Sequence, residues 1–170
     1  SEHTETKQTL PQELLSALLN ARHFQSGMQT LRQIEFALFD LNIHRQTPAL
    51  NSQQIQETLD DIRLKYSVVP SVAYNRFQHS FSHIFAGGYA AGYYSYKWAE
   101  LLSADAYAAF EEAQAQGSVA ATGHKFLQEI LEKGGSRSAA ENFAAFRGRA
   151  PQIDALLRHQ GMADAASASS

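Results

Sequence analysis

Tyrosines and glycines are concentrated in one segment of this 170-residue chain, residues 79–100. Three phenols in it recur at i, i+4 and i+7, a spacing that places them in one stripe on a helix; they are Tyr89, Tyr93 and Tyr96. Just before them, Gly87 and Gly88 permit a sharp turn or a close approach to a ligand. A row of phenolic donors beside such a turn is suited to holding a substrate and stabilising developing negative charge.

The same segment also has simpler interpretations. Aromatic stripes at helical spacing most often pack into a core, so the residues alone favour a buried aromatic face over a binding site. His79 and His83 are four residues apart and on a helix could share a metal ion. No third ligand is nearby in the sequence, and the adjacent glycines disfavour a helix there, so we predict no metal site built from this chain's own residues.

Motifs outside this segment carry a family resemblance. Residues 31–40 read Leu-Arg-Gln-Ile-Glu-Phe-Ala-Leu-Phe-Asp, residues 146–151 read Phe-Arg-Gly-Arg-Ala-Pro, and residues 154–161 read Asp-Ala-Leu-Leu-Arg-His-Gln-Gly. Together with residues 79–100 they resemble the C-terminal region of the thimet oligopeptidase family of zinc metallopeptidases, most closely its bacterial oligopeptidase A branch. The resemblance covers about residues 9–162 and implies an intact enzyme whose substrates are short peptides.

The resemblance also implies roles for individual residues. Tyr96 matches the phenol that donates to the tetrahedral oxyanion, and His83, in Phe81-Ser82-His83, matches a histidine that faces the substrate near the scissile bond. These two are the implied catalytic residues. The implied substrate-binding residues line the cleft or form the loop that carries His83 to it; they are Tyr89, Tyr93, Gly87 and Gly88.

One departure from the family pattern is decisive for the metal. The family binds zinc through His-Glu-x-x-His on a helix, and the Glu of that motif is the general base. This sequence contains no His-Glu-x-x-His. The resemblance therefore implies that zinc and its ligands lie upstream, in a missing N-terminal part of the same enzyme. We expect the chain to be a C-terminal fragment that is inactive alone.

Composition indicates a folded chain and excludes several function classes. Hydrophobic residues make up 44% and charged residues 18%, which is typical of a globular domain. The net charge of −3 gives no reason to expect a nucleic-acid or membrane partner. The absence of cysteine excludes a disulfide framework and fits the cytoplasmic location that we expect.

Helical periodicity predicts an all-α fold, an irregular multi-helix bundle. We treat residues 1–170 as a single helical segment of the peptidase catalytic domain, with an irregular lead-in at 1–8 and a disordered tail at 162–170. Residues 67–78 are predicted to be a loop or short strand. Caps, glycines and prolines predict helices at about residues 11–21, 25–44, 51–66, 89–102, 103–114, 122–133, 138–146 and 151–161.

Three functional hypotheses follow. The chain is part of a zinc endopeptidase, a non-catalytic helical module that binds peptides through its tyrosine face, or a helical scaffold. The first also predicts an exposed apolar face where the missing part of the enzyme packs.

Overall fold

A computed structural model describes residues 2–163, and the fold over these residues is all-α, as predicted. No β-strand occurs in this range; an isolated bridge between Glu2 and Thr9 closes the lead-in. The helices are α1 (Gln12–Ala21), α2 (Ser26–His44), α3 (Ser52–Tyr66), α4 (Ser82–Phe85), α5 (Ser95–Gln116), α6 (Val119–Phe126), α7 (Ala139–Arg147) and α8 (Asp154–His159). Short 3₁₀ turns occupy Phe77–His79 and Gly134–Ser136, and α6 continues into a π-helical turn at Leu127–Leu131.

Capping boxes start α3 and α7 at the positions that the sequence predicts. The side chain of Asn51 accepts a 2.9 Å hydrogen bond from the N–H of Gln54, whose side chain accepts one from the N–H of Asn51. Ser138 and Glu141 repeat this exchange in α7. Each box satisfies two helix-terminal donors that would otherwise lack partners, so both boundaries follow from local sequence.

The first hydrophobic core joins α2 and α3 to the segment that carries α4. Its buried members are Phe36, Phe39, Leu59, Ile62, Phe81 and Ile84. Phe39 and Leu59 have no exposed surface, and burying side chains of this size stabilises a fold by about 1.5–3 kcal/mol each. Because Phe81 and Ile84 flank His83, the same burial fixes α4 against α2.

The second core surrounds α5. Ala104 and Ala108 pack against Ala155 of α8, and these small side chains let the two helices approach closely. Between α5, α6 and α7, the rings of Phe110, Phe126 and Phe146 contact one another. The hydroxyl of Ser26 donates to the main-chain oxygen of Gln160 at 2.7 Å and ties the start of α2 to the end of α8.

Helix α1 is amphipathic but contacts no core. None of its residues is buried, and its leucines remain widely exposed: Leu14 55%, Leu15 37%, Leu18 61% and Leu19 52%. An isolated helix of ten residues is marginal in water, so this apolar face is suited to a further packing partner. No helix among residues 2–163 has the length and hydropathy needed to span a bilayer.

Several predicted boundaries are wrong. The helix predicted from residue 89 begins at Ser95, and it runs through Ser103 without the predicted break, as far as Gln116. The helix predicted at 122–133 starts earlier, at Val119, and changes to π geometry at Leu127. The region 67–78, predicted to be a loop or short strand, is a loop over 67–76, but its end forms the Phe77–His79 turn. Residues 164–170 of the predicted tail lie outside the described residues.

Candidate active site

The two glycines have different structural roles in the turn that follows α4. A Cβ at Gly87 would lie 2.8 Å from the main-chain oxygen of His83 and 3.0 Å from its Cα. Gly88 has open space around it but a φ of +77°, which favours glycine. The N–H of Tyr89 then donates to the His83 oxygen at 3.1 Å. The backbone therefore wraps tightly around the His83 carbonyl.

Tyr89 and Tyr93 lie before α5, not on it, which corrects the predicted helical stripe. Ala91, between them, has a φ of +56°, a left-handed conformation that a regular helix does not contain. Only Tyr96 belongs to α5, as its second residue. The spacing of i, i+4 and i+7 is therefore not what brings these phenols together.

A turn and a helix nevertheless bring the predicted site residues into one aromatic cluster. Tyr89 stacks on Tyr96 with ring centroids 5.2 Å apart, and Tyr93 meets the edge of Tyr96 at 5.1 Å. The His83 ring lies 5.9 Å from Tyr93 and 6.4 Å from Tyr89. Four candidate side chains thus form one continuous surface. We refer to His83, Tyr89, Tyr93 and Tyr96 as the tyrosine cluster.

The cluster opens onto a cleft of about 660 Å³ between α2, α5 and the end of α8. His83, Tyr93 and Tyr96 line it, and Arg22 and Arg32 add positive charge to the wall. This volume lies within the range of about 300–1,000 Å³ that small-molecule sites occupy. Tyr96 remains 40% exposed and Tyr89 38% exposed, so both rings are accessible to a bound chain.

Tyr93 and Tyr96 keep their protons at neutral pH. The neighbouring Tyr89 hydroxyl, with smaller contributions from desolvation and from the phenol of Tyr93, raises the pKa of Tyr96 above its ordinary value of 10.0. Burial raises the pKa of Tyr93, and the Arg32 guanidinium partly opposes that shift. Both side chains are therefore hydrogen-bond donors.

Sequence reasoning missed the residues of α2 that support the cluster. The hydroxyl of Tyr93 donates to Oε1 of Gln33 at 3.0 Å, and the main-chain N–H of Tyr93 donates to the carboxylate of Asp40 at 2.9 Å. The guanidinium of Arg32 lies 4.8 Å from the ring centre of Phe36. The sequence does contain a sign of this support. Two polar residues share one face of α2 with a buried aromatic residue, at the i, i+3 and i+7 positions of Gln33, Phe36 and Asp40.

The described residues offer no ligand set for a catalytic metal. Across residues 2–163, no three His, Cys, Asp or Glu side chains come together as a metal-binding group. His79 ends a 3₁₀ turn and His83 belongs to α4, while the His83 ring packs against Phe81 and Tyr93. A catalytic zinc ion with three protein ligands does not fit this arrangement.

Comparison with known proteins agrees with the motifs. The model of peptidase family M3 matches residues 1–162. Over 162 residues the chain is 52% identical to oligopeptidase A of Haemophilus influenzae, covering 95% of this chain and 24% of that protein. It is 49% identical to oligopeptidase A of Escherichia coli, with the same coverage. It is 31% identical to saccharolysin of Saccharomyces cerevisiae, of which it covers 22%.

The chain thus spans about a quarter of the length of these curated relatives. The match extends over the tyrosine cluster and over the α2 residues that support it. The chain belongs to peptidase family M3.

Proposed function

We propose that this chain supplies the substrate-binding wall and the oxyanion donor of a zinc metalloendopeptidase that hydrolyses short peptides. The observation that carries the proposal is the accessible tyrosine cluster on a cleft, in a chain of peptidase family M3. Zinc, when bound, polarises the scissile carbonyl and activates water. Its ligands are assigned to a part of the peptidase that the described residues do not include.

Within the cluster, Tyr96 is the best placed oxyanion donor. Tyr93 already donates its hydroxyl proton to Gln33, so its ring is held in place rather than left free to follow the substrate. Tyr96 is exposed on the cleft and stays protonated. A phenol aimed at the carbonyl oxygen strengthens its hydrogen bond as negative charge develops, which lowers the barrier more than it improves substrate binding.

His83, Tyr89 and Tyr93 are assigned to holding the peptide. Their rings form a continuous wall beside Tyr96, which fixes the peptide so that its scissile carbonyl meets the donor. Gly87 and Gly88 shape the turn that positions this wall.

The packing partner that we propose is the upstream part of the same peptidase polypeptide. The relatives are about four times longer than the matched region, and the exposed leucines of α1 offer a face for that upstream part to cover. We further propose a cytoplasmic location, without a nucleic-acid or membrane partner, on the basis of the cysteine-free sequence and its net charge of −3.

Replacement of Tyr96 in the intact peptidase that contains this segment tests the proposal. Tyr96→Phe removes only the hydroxyl, so we expect kcat to fall roughly 10²- to 10³-fold with little change in KM and unchanged zinc content. Tyr94→Phe is the matched control, because Tyr94 lies two residues before Tyr96, is 50% exposed and lies outside the cluster.

Near-native kcat in Tyr96→Phe would make the oxyanion assignment wrong. A wild-type protein that binds peptides in the cleft without hydrolysing them would instead support the alternative of a non-catalytic peptide-binding module. A protein that does neither would support the scaffold hypothesis.

A further inference from the structure

Asp40 is a buried carboxylate whose partners are in the turn that carries the tyrosines. Its side chain has no exposed surface. Oδ1 accepts a 2.8 Å hydrogen bond from the N–H of Ala91, and Oδ2 accepts one of 2.9 Å from the N–H of Tyr93. Nδ1 of His44, one helical turn along α2, lies 2.8 Å from Oδ1. Both oxygens are thus engaged, as a buried carboxylate requires.

These contacts stabilise a backbone conformation that is unfavourable by itself. Ala91 has a φ of +56°, which is unfavourable for a residue with a Cβ. The three-residue stretch from Ala91 to Tyr93 contains Gly92, which adds freedom rather than rigidity. Two charge-assisted hydrogen bonds to one rigid helix compensate for both effects.

Tyr93 is held at both of its ends by α2. Asp40 accepts from its main-chain N–H, and Gln33, two helical turns earlier, accepts from its hydroxyl. Its ring also packs at 5.9 Å against Phe36, on the same helix face. The orientation of the Tyr93 ring, and with it the contacts to His83 and Tyr96, therefore depends on α2.

We infer that Asp40 is a positioning residue of the peptidase site, which fixes residues 91–93 through their main-chain N–H groups so that Tyr89 and Tyr93 face His83 and Tyr96. The effect on catalysis rests on the proposed function. The effect on the turn itself does not, and it is measurable on this chain alone.

Asp105 provides a matched control for simple loss of a buried carboxylate. It is also almost fully buried, on α5, and accepts a 2.8 Å hydrogen bond from the N–H of Gln152. Its remaining partners, Arg147 and Arg149, lie in the second core region and not in the tyrosine cluster. Asp105→Asn therefore removes the same chemical group without touching the turn.

The first measurement is amide hydrogen exchange followed by NMR. In the unmodified chain, the Ala91 and Tyr93 amides should be protected as strongly as those in the middle of α2. In Asp40→Asn one carboxylate oxygen becomes an NH₂ group that cannot accept, so at least one of these two amides loses its acceptor and should exchange roughly tenfold faster or more, while α3 amides keep their rates. Asp105→Asn should accelerate Gln152 instead.

The second measurement is steady-state kinetics of the intact peptidase. Asp40→Asn should lower kcat/KM at least tenfold with unchanged zinc content. Asp105→Asn should not, even if it lowers the melting temperature as much as Asp40→Asn does. Equal losses of activity in both variants would overturn the positioning role.

The unmodified chain also decides the inference if Asp40→Asn fails to fold. Ala91 and Tyr93 amides that exchange as fast as those of the exposed loop at residues 67–74 would overturn it. A peptidase without activity, combined with slow exchange at these amides, would refute the proposed function and leave the role of Asp40 in the turn intact.

Discussion

Alanine at Gly87 and alanine at Gly88 should have different consequences, although the two residues are adjacent. At Gly87 the new methyl would meet main-chain atoms of His83 at 2.8, 3.0 and 3.3 Å, where 3.4–4 Å is ordinary contact. Main chain cannot rotate aside as the end of a long side chain can. The His83 carbonyl must therefore shift by several tenths of an ångström, and overpacking of this kind costs about 1–3 kcal/mol.

At Gly88 the cost is conformational and does not involve a clash. No heavy atom lies within 4 Å of the added Cβ, but φ is +77°. A left-handed conformation costs a residue with a Cβ about 1–2 kcal/mol, and the reduced freedom of the unfolded chain returns about 0.4–1 kcal/mol of this. We expect a net destabilisation of about 1 kcal/mol, with His83 undisturbed.

Thermal denaturation and NMR of this chain measure the two effects separately. Both variants should lose stability, with Gly87→Ala losing the larger amount, a fall in melting temperature of about 2–4 °C for each kcal/mol. Only Gly87→Ala should move the ring resonances of His83 and Tyr89, because only it displaces the His83 carbonyl that accepts from the Tyr89 N–H. If Gly87→Ala leaves both the stability and these resonances unchanged, the close contact between residue 87 and the His83 main chain is wrong.

Three further predictions concern the chain by itself. When this chain is incubated with zinc and a quenched fluorescent peptide, it should show neither stoichiometric zinc binding nor chelator-sensitive hydrolysis, because a catalytic zinc site needs three protein ligands. Either result would contradict the assignment of the zinc ligands to another part of the enzyme. Sedimentation velocity should show concentration-dependent association, and the double variant Leu14→Gln, Leu18→Gln should reduce it. Because both leucines are more than half exposed, that variant should lose no more than about 0.5 kcal/mol of stability. A wild-type chain that stays monomeric at all concentrations would count against the apolar face of α1 as a packing surface. Melting temperature should stay level from neutral pH to about pH 5 and fall below about pH 4, because carboxyls with a lowered folded-state pKa stabilise above their unfolded pKa and lose that contribution as they protonate. A hydrogen bond from Arg158 lowers the pKa of Glu111, and although burial opposes it, the hydrogen bonds and positive charges around Asp105 lower the pKa of Asp105. A melting temperature that rises toward acid pH would refute these pairings.

Local signals predicted much of the helical framework. The α3 and α7 boundaries follow from capping boxes at Asn51 and Ser138, each of which acts within four residues. Gly148, at a φ of +75°, ends α7 as a left-handed cap. Such features depend on neighbours in the chain, so a sequence displays them directly.

The boundary of α5 could not be predicted in this way. Helical spacing fits Tyr89, Tyr93 and Tyr96, and the local signal against a helix, a single glycine at Gly92, is weak. The competing structure is stabilised from about 50 positions away, where Asp40 accepts the Ala91 and Tyr93 amides. A tertiary hydrogen bond of this kind overrides helix propensity, which is a weak preference. The family resemblance still indicated which side chains to group, and the structure brings those side chains together.

The dependence of the site on α2 follows from how its residues are divided among elements. Tyr96 is fixed by α5, while His83, Tyr89 and Tyr93 precede it on a turn and a one-turn helix that are too short to be stable alone. Helix α2 contacts Tyr93 at three points: its ring through Phe36, its hydroxyl through Gln33 and its main chain through Asp40. Because Tyr93 in turn touches both His83 and Tyr96, changes in α2 should alter the cluster as a unit. Changes at the exposed rings of Tyr89 or Tyr96, which stack on each other, should instead act mainly on that pair.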